Sequence, residues 1–200
     1  MSDYPEIAAR FSRHAMTVLH EEGLYRHLRF EGDADSPFGR YPFELITWPY
    51  NLVVKAGWTF HFDIDATPDM FNVFRKTAFS GEINPGYWSE KVRAGRDEVE
   101  GFSDDLFERQ VKRYVVHSIR DGEAPRGIGA EVTREIFEMG DISHEAGARA
   151  ALADFRYDGW DFGDLSEWDF SDYTPGFLHS CHAIRHGVDL YAAARKQVAA

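Results

Sequence analysis

The seven residues Trp58-Thr59-Phe60-His61-Phe62-Asp63-Ile64 alternate without a break between bulky apolar and polar side chains. In an extended strand successive side chains point to opposite faces. Trp58, Phe60, Phe62 and Ile64 therefore share one face, and Thr59, His61 and Asp63 share the other. A strand that is half core and half wet demands an antiparallel sheet with one covered face. The preceding residues carry the same signal in four further short runs: Met16–His20, Leu24–Phe30, Phe43–Trp48 and Leu52–Lys55. Glu21-Glu22-Gly23 separates the first two and places a glycine where a hairpin needs positive φ, and Pro49-Tyr50-Asn51 separates the last two.

Helices follow, announced by their caps. Thr67 before Pro68 opens a helix with Met70, Phe71 and Phe74 as its apolar stripe, and Asn84 before Pro85 repeats the device ahead of Tyr87, Trp88 and Val92. Ser103, followed by Asp104 and Asp105, starts a longer helix that buries Leu106, Phe107, Val111, Tyr114 and Val115. Further helices are expected from about Ile128 to Met139, from Ser143 to Phe155, and from Thr174-Pro175 onward. Strands first and helices after make the fold α+β. The expectation is a single globular domain over residues 1–200, with an antiparallel sheet of about five strands (about 14–65) covered by about six C-terminal helices (about 67–197).

Composition narrows the partners. With 34 acids against 22 bases the formal charge is -12, which repels phosphate backbones and anionic membranes unless the bases gather on one face. No direct nucleic-acid binding is expected. Cys181 is the only cysteine, so no internal disulfide is possible, and the start MSDYPEIAARF lacks the apolar run of a secretion signal. No stretch approaches the roughly 20 apolar residues of a membrane span. These features lead to the expectation of a protein of a reducing cytosol, off the membrane.

The block from Phe155 to Tyr173 interleaves aromatics with acids: Asp158, Asp161, Asp164, Glu167, Asp169 and Asp172 stand among Trp160, Phe162, Trp168 and Phe170, with Arg156 as the one base. Aromatics need burial and carboxylates need water or a cation. The block therefore either closes a core with its charges outward or offers an acidic surface to a basic partner. On the second reading Trp160, Asp161, Asp164, Glu167, Trp168 and Asp169 are the interface candidates.

Chemistry-bearing sets are few. His179, His182 and His186 recur at helical spacing within one arc of the last helix, opposite Phe177, Cys181, Ile184, Val188 and Tyr191. Three imidazoles on one face can hold a metal if a carboxylate such as Asp161 or Asp169 completes the set. His61, Asp63 and Asp65 lie along the polar side of one strand, a row suited either to a divalent ion or to plain solvation. Cys181 beside His182 is poorly aligned as a nucleophile, since neighbours on a helix point about 100° apart. The GxG of Gly127-Ile128-Gly129 lacks the spacing and lysine of a phosphate loop. Arg109, Lys112, Arg113, Arg120 and Arg126 gather on and after the long helix, read as a solvated face.

His20–Phe30, Ile46-Thr47-Trp48-Pro49, Asp69–Phe74, Ile83–Trp88, Asp154–Gly159, Trp168–Tyr173 and His182-Ala183-Ile184 together resemble a widespread family of small phage and prophage proteins. The resemblance covers most of the chain and implies a phage origin. The family pattern does not keep His61 and Asp63, and it tends to have tryptophan where this chain has His179 and His186; His182 matches. The resemblance thus implies that this face of the last helix is often buried, and favours packing over catalysis.

The function expected from these readings is a phage-encoded accessory protein that binds a host protein with a basic surface stoichiometrically. Such a protein would inhibit an anti-phage defence system such as CRISPR-Cas in the bacterial host cytoplasm, with no cofactor, by binding rather than by a reaction, with catalysis left open by the alternatives. The alternatives are a small metal-dependent hydrolase built on His179, His182 and His186, or a sponge whose aromatics stack a nucleotide-like signal.

Overall fold

The computed structural model describes residues 5–37, 39–75 and 83–198. The loop expected over 33–39 contains one position, Phe38, that lies outside the described residues. In chain order the elements are α1 (Pro5–Arg10), β1 (His14–Glu22), β2 (Tyr25–Gly32), β3 (Phe43–Trp48), β4 (Asn51–Ala56), β5 (Trp58–Asp63), α2 (Phe71–Phe74) and α3 (Pro85–Ser89). These are followed by β6 (Val92–Ala94), β7 (Glu100–Phe102), α4 (Asp104–Arg120), α5 (Ile128–Val132), α6 (Glu145–Asp154), β8 (Ser171–Tyr173) and α7 (Pro175–Val198). The fold is α+β. It divides into two compact units, one drawn from Met1–Val99 and Tyr173–Ala200, the other from Glu100–Asp172.

The first unit is built on a six-stranded sheet in the order β1-β2-β3-β4-β5-β6, every neighbouring pair antiparallel. The sequence pattern foresaw five of these strands. β6 escaped it because three residues, of which Val92 alone is buried, are too short for alternation to register. The β1–β2 turn uses Gly23 at φ 61, as its spacing required. The β3–β4 turn places Pro49 first and Tyr50, at φ 69, second, the sequence order of a type II turn.

One face of the sheet is dry. Leu28, Phe30, Phe43, Leu45, Leu52, Val54, Phe60 and Phe62 are buried at every second position, and each large apolar side chain so placed contributes about 2 kcal/mol. Trp58, expected on that face, lies at its margin and is 43% exposed. Helix α7, 24 residues long, crosses the dry face and contacts β1, β3, β4 and β5. It comes close because it carries glycine at two contact points. A Cβ on Gly187 would lie 2.7 Å from Leu45 Cδ1 and 3.0 Å from Phe30 Cζ, and one on Gly176 would lie 2.6 Å from the Trp58 indole.

Several caps stand where the sequence placed them. Asn84 accepts from the Tyr87 amide, Ser103 from Leu106, and Thr174 from Phe177. The helix expected from Thr67-Pro68 is instead the single turn of α2, and its first amide, that of Phe71, donates to Asp69. Asp69 is held there by Arg26, which donates to its two oxygens at 2.8 and 3.1 Å while stacking on Phe71 and Tyr191. α6 begins behind a His144 cap, just after the Ser143 start expected, and α5 runs into a π-helical turn, Thr133–Glu138. α1 was not foreseen.

The second unit packs α4, α5, α6 and an irregular segment around its own core of Phe107, Val111, Val115, Ile128, Val132, Ile136, Ala148, Leu152, Phe155, Phe162 and Phe170. The chain leaves the first unit after Val99 and resumes it at Tyr173. The two crossing points are tied together: the Thr174 amide donates to the Val99 carbonyl at 2.9 Å, and the Thr174 hydroxyl to Glu98 at 2.6 Å. No helix among the described residues is long and apolar enough to cross a membrane.

Candidate functional site

The aromatic acidic block has almost no regular secondary structure, yet its backbone is held at many points. Tyr157 and Trp160 pair across Asp158-Gly159, both in the left-handed region, which is the Asp-Gly signature of a tight hairpin turn. Three later aspartates each close a turn on the amide two residues ahead: Asp161 on Gly163 (2.8 Å), Asp164 on Ser166 (2.8 Å) and Asp169 on Ser171 (2.9 Å). Those amides hold the Asp164 and Asp169 carboxyls below their usual range. Arg149 of α6 reaches the carbonyls of Leu165 and Trp168 while stacking on Phe170, and Gln110 of α4 donates to the Asp169 carbonyl at 2.6 Å.

The interleaved composition is explained by this construction. Phe155, Phe162 and Phe170 are buried, and Trp160 and Trp168 are half-buried against Tyr114, whose ring centre lies 6.0 Å from the first and 5.1 Å from the second. Asp161, Asp164, Glu167 and Asp169 are exposed. The block thus closes a core with its tryptophans and presents its carboxylates to water from a fixed backbone.

Beside it runs a groove of about 470 Å³ lined by Gln110, Arg113, Tyr114, His117, Glu167 and Trp168. Glu167 and Trp168 were singled out in the sequence for other reasons. Gln110 and His117 were not, and Tyr114 was read as core. The available signal was the stretch Arg109–Arg120, which holds four arginine or lysine residues and no acid within an acidic chain. Arg109, Arg113 and Arg120 make no ion pair among the described residues; Lys112 pairs with Glu108.

The histidines of α7 are not turned to solvent. His179 and His182 are buried, so the face read as polar is a second packing face, and this half of the helix is covered all round. His179 packs on Phe11, ring centres 4.8 Å apart, and lies near Tyr41 and Trp58. His186 stacks on Phe11 at 6.0 Å and meets His14 edge-on. Among the described residues, neither ring nitrogen of His179, nor Nε2 of His186, has a hydrogen-bond partner. Burial, reinforced for His179 by Arg10 and for His186 by His14, pushes both imidazoles down to about 4. His14 itself bridges the carbonyls of Phe11 and Tyr41. Among the described residues no three His, Cys, Asp or Glu side chains are grouped to hold a metal ion.

The remaining candidates are dispersed. His61 bonds to Asn51 at 2.6 Å and stacks on Trp48, Asp63 lies 3.7 Å from Arg93, and Asp65 is exposed. Cys181 is wholly buried, which pushes its thiol up and leaves it a small apolar side chain. Comparison with protein-family models, curated proteins and solved structures found no match.

Proposed function

We propose that this protein acts by stoichiometric binding, as a phage-encoded accessory protein that occupies a basic surface of a host protein and thereby inhibits an anti-phage defence system such as CRISPR-Cas. The observation that supports this reading is the fixed acidic rim of Asp161, Asp164, Glu167 and Asp169. A carboxylate row on a backbone already ordered by turns, by Arg149 and by Gln110 loses little freedom on docking. Such a row steers encounter with a positive partner and rejects nucleic acid. The phage setting comes from the family resemblance of the chain.

The test uses charge removal that keeps the turns. Asn retains the Oδ1 acceptor of Asp, so a variant combining Asp161→Asn, Asp164→Asn, Asp169→Asn and Glu167→Gln alters charge without loosening the segment. Tagged wild-type protein is expected to retain a host partner from infected cells in a salt-sensitive complex, and the variant to release it. Retention of no partner, together with equal phage fitness for wild type and variant, would sink the reading.

A further inference from the structure

We propose that the groove between α4 and the Glu167-Trp168 turn is a mononucleotide site; it shares Glu167 with the acidic rim but does not rest on the rim's binding a protein. Its lining divides into three kinds of group, in the proportions a nucleotide presents. Trp168 and Tyr114, half-buried and held 5.1 Å apart edge to face, offer aromatic surface for a base. Arg113 and His117 stand one helical turn apart on the exposed face of α4, placed to donate to a phosphate. Glu167, exposed at the same groove, accepts from hydroxyls, the role a carboxylate plays toward a ribose. The Gln110 amide is oriented by its bond to the Asp169 carbonyl, which leaves its own oxygen as an acceptor.

The volume and charge agree with this assignment. About 470 Å³ falls within the range of small-molecule sites. The overall charge of -12 opposes an anion at long range, but at physiological salt that field is screened over about 8 Å, and the nearest fixed charges on α4 decide. From Arg109 to Arg120 those are Arg109, Arg113 and Arg120, which make no ion pair among the described residues, while Lys112 is paired with Glu108. Arg113 has no ion pair among the described residues, so a phosphate would not have to displace a carboxylate from it. The lone acid in the groove, Glu167, makes a bare inorganic anion a poorer ligand than one carrying a diol.

Isothermal titration tests the proposal with the five common nucleoside 5′-monophosphates, the matching nucleosides and inorganic phosphate. At least one nucleotide is expected to bind, its nucleoside and inorganic phosphate each at least tenfold more weakly. Arg113→Gln should bring the nucleotide to the nucleoside's level while leaving the melting temperature unchanged, since this side chain is exposed. Glu167→Gln should weaken ribonucleotides and leave 2′-deoxynucleotides unaffected. Absence of binding by all five nucleotides, binding of phosphate as tight as that of a nucleotide, or binding indifferent to Arg113→Gln would each overturn the site. Host-partner retention is read separately with a variant that keeps Glu167, combining Asp161→Asn, Asp164→Asn and Asp169→Asn, so that the two readings fail independently.

Discussion

His179 packs at a tilt on Phe11, ring centres 4.8 Å apart and ring planes at 50°, with both of its nitrogens buried and without a partner among the described residues. Unfolded, this imidazole titrates near 6.5; folded, it stays neutral until about 4, and His186 behaves alike. Between those values the unfolded chain binds more protons at these two sites, so the histidines' contribution to stability declines as pH is lowered from 6.5 to 4 and levels off below. For His179 the full decline is on the order of 3 kcal/mol. Arg10, His14 and His182 around His179 act in the same direction, and Asp189 opposes it at His186. Urea denaturation at stepped pH is expected to show this acid limb, and His179→Phe to flatten it. An equally steep limb in the variant would mean that other groups carry it.

Gly176 and Gly187 both admit α7 to the sheet, yet their alanine variants should differ. Alanine gains about 1 kcal/mol in a helix interior, where Gly187 lies, and less at Gly176, the second residue of α7, while overpacking costs about 1–3 kcal/mol where neighbours are immobile. The neighbours of Gly187, Leu45 and Phe30, are wholly buried and have nowhere to go; the neighbour of Gly176 is Trp58, 43% exposed and free to swing outward. Gly187→Ala should therefore destabilise by about 1–2 kcal/mol and Gly176→Ala by less than about 1 kcal/mol, both read by denaturant melts.

Arg26 and Asp69 form an ion pair whose halves are unequal in burial, 7% and 24% exposed. Burial works against both charges, and their mutual hydrogen bonds and field outweigh it, raising the guanidinium pKa and lowering the carboxyl's. Asp69→Ala leaves a buried cation uncompensated and removes the α2 cap, so a loss of about 3–5 kcal/mol is expected. The double variant Arg26→Met, Asp69→Leu should recover most of that. A double variant no better than Asp69→Ala would show that the pair itself, not the orphaned charge, governs stability.

Asp164 and Asp169 do local work that asparagine can also do. Hydrogen exchange at the Ser166 and Ser171 amides should be nearly unchanged by Asp164→Asn and Asp169→Asn, and markedly faster in the alanine variants. Equal rates in the Asn and Ala forms would mean that the turns hold without their side chains.

How much of this was legible depended on range. Ser103, Asn84 and Thr174 act on amides three residues away, and their caps were readable because the physics is local. The alternation from Trp58 to Ile64 was readable because one covered face imposes it. Asp69 was not, since its role is set by Arg26, 43 positions earlier in the chain. The face of His179 and His186 looked polar because residue type was taken for environment; Phe11, in the unforeseen stretch around α1, buries it. The split between inward tryptophans and outward acids was visible as two alternatives. The groove was not visible, because it needs Arg113 and His117 brought beside Glu167 and Trp168.

The bonds from Thr174 to Glu98 and Val99 give the chain an architectural seam. Everything from residue 100 to 172 leaves and rejoins at a single clasp, while the sheet and the helix that crosses it are completed without that stretch. The excursion is therefore bounded by one pair of neighbouring residues, and its length and sequence interrupt no strand of the six-stranded sheet and no turn of the helix that crosses it.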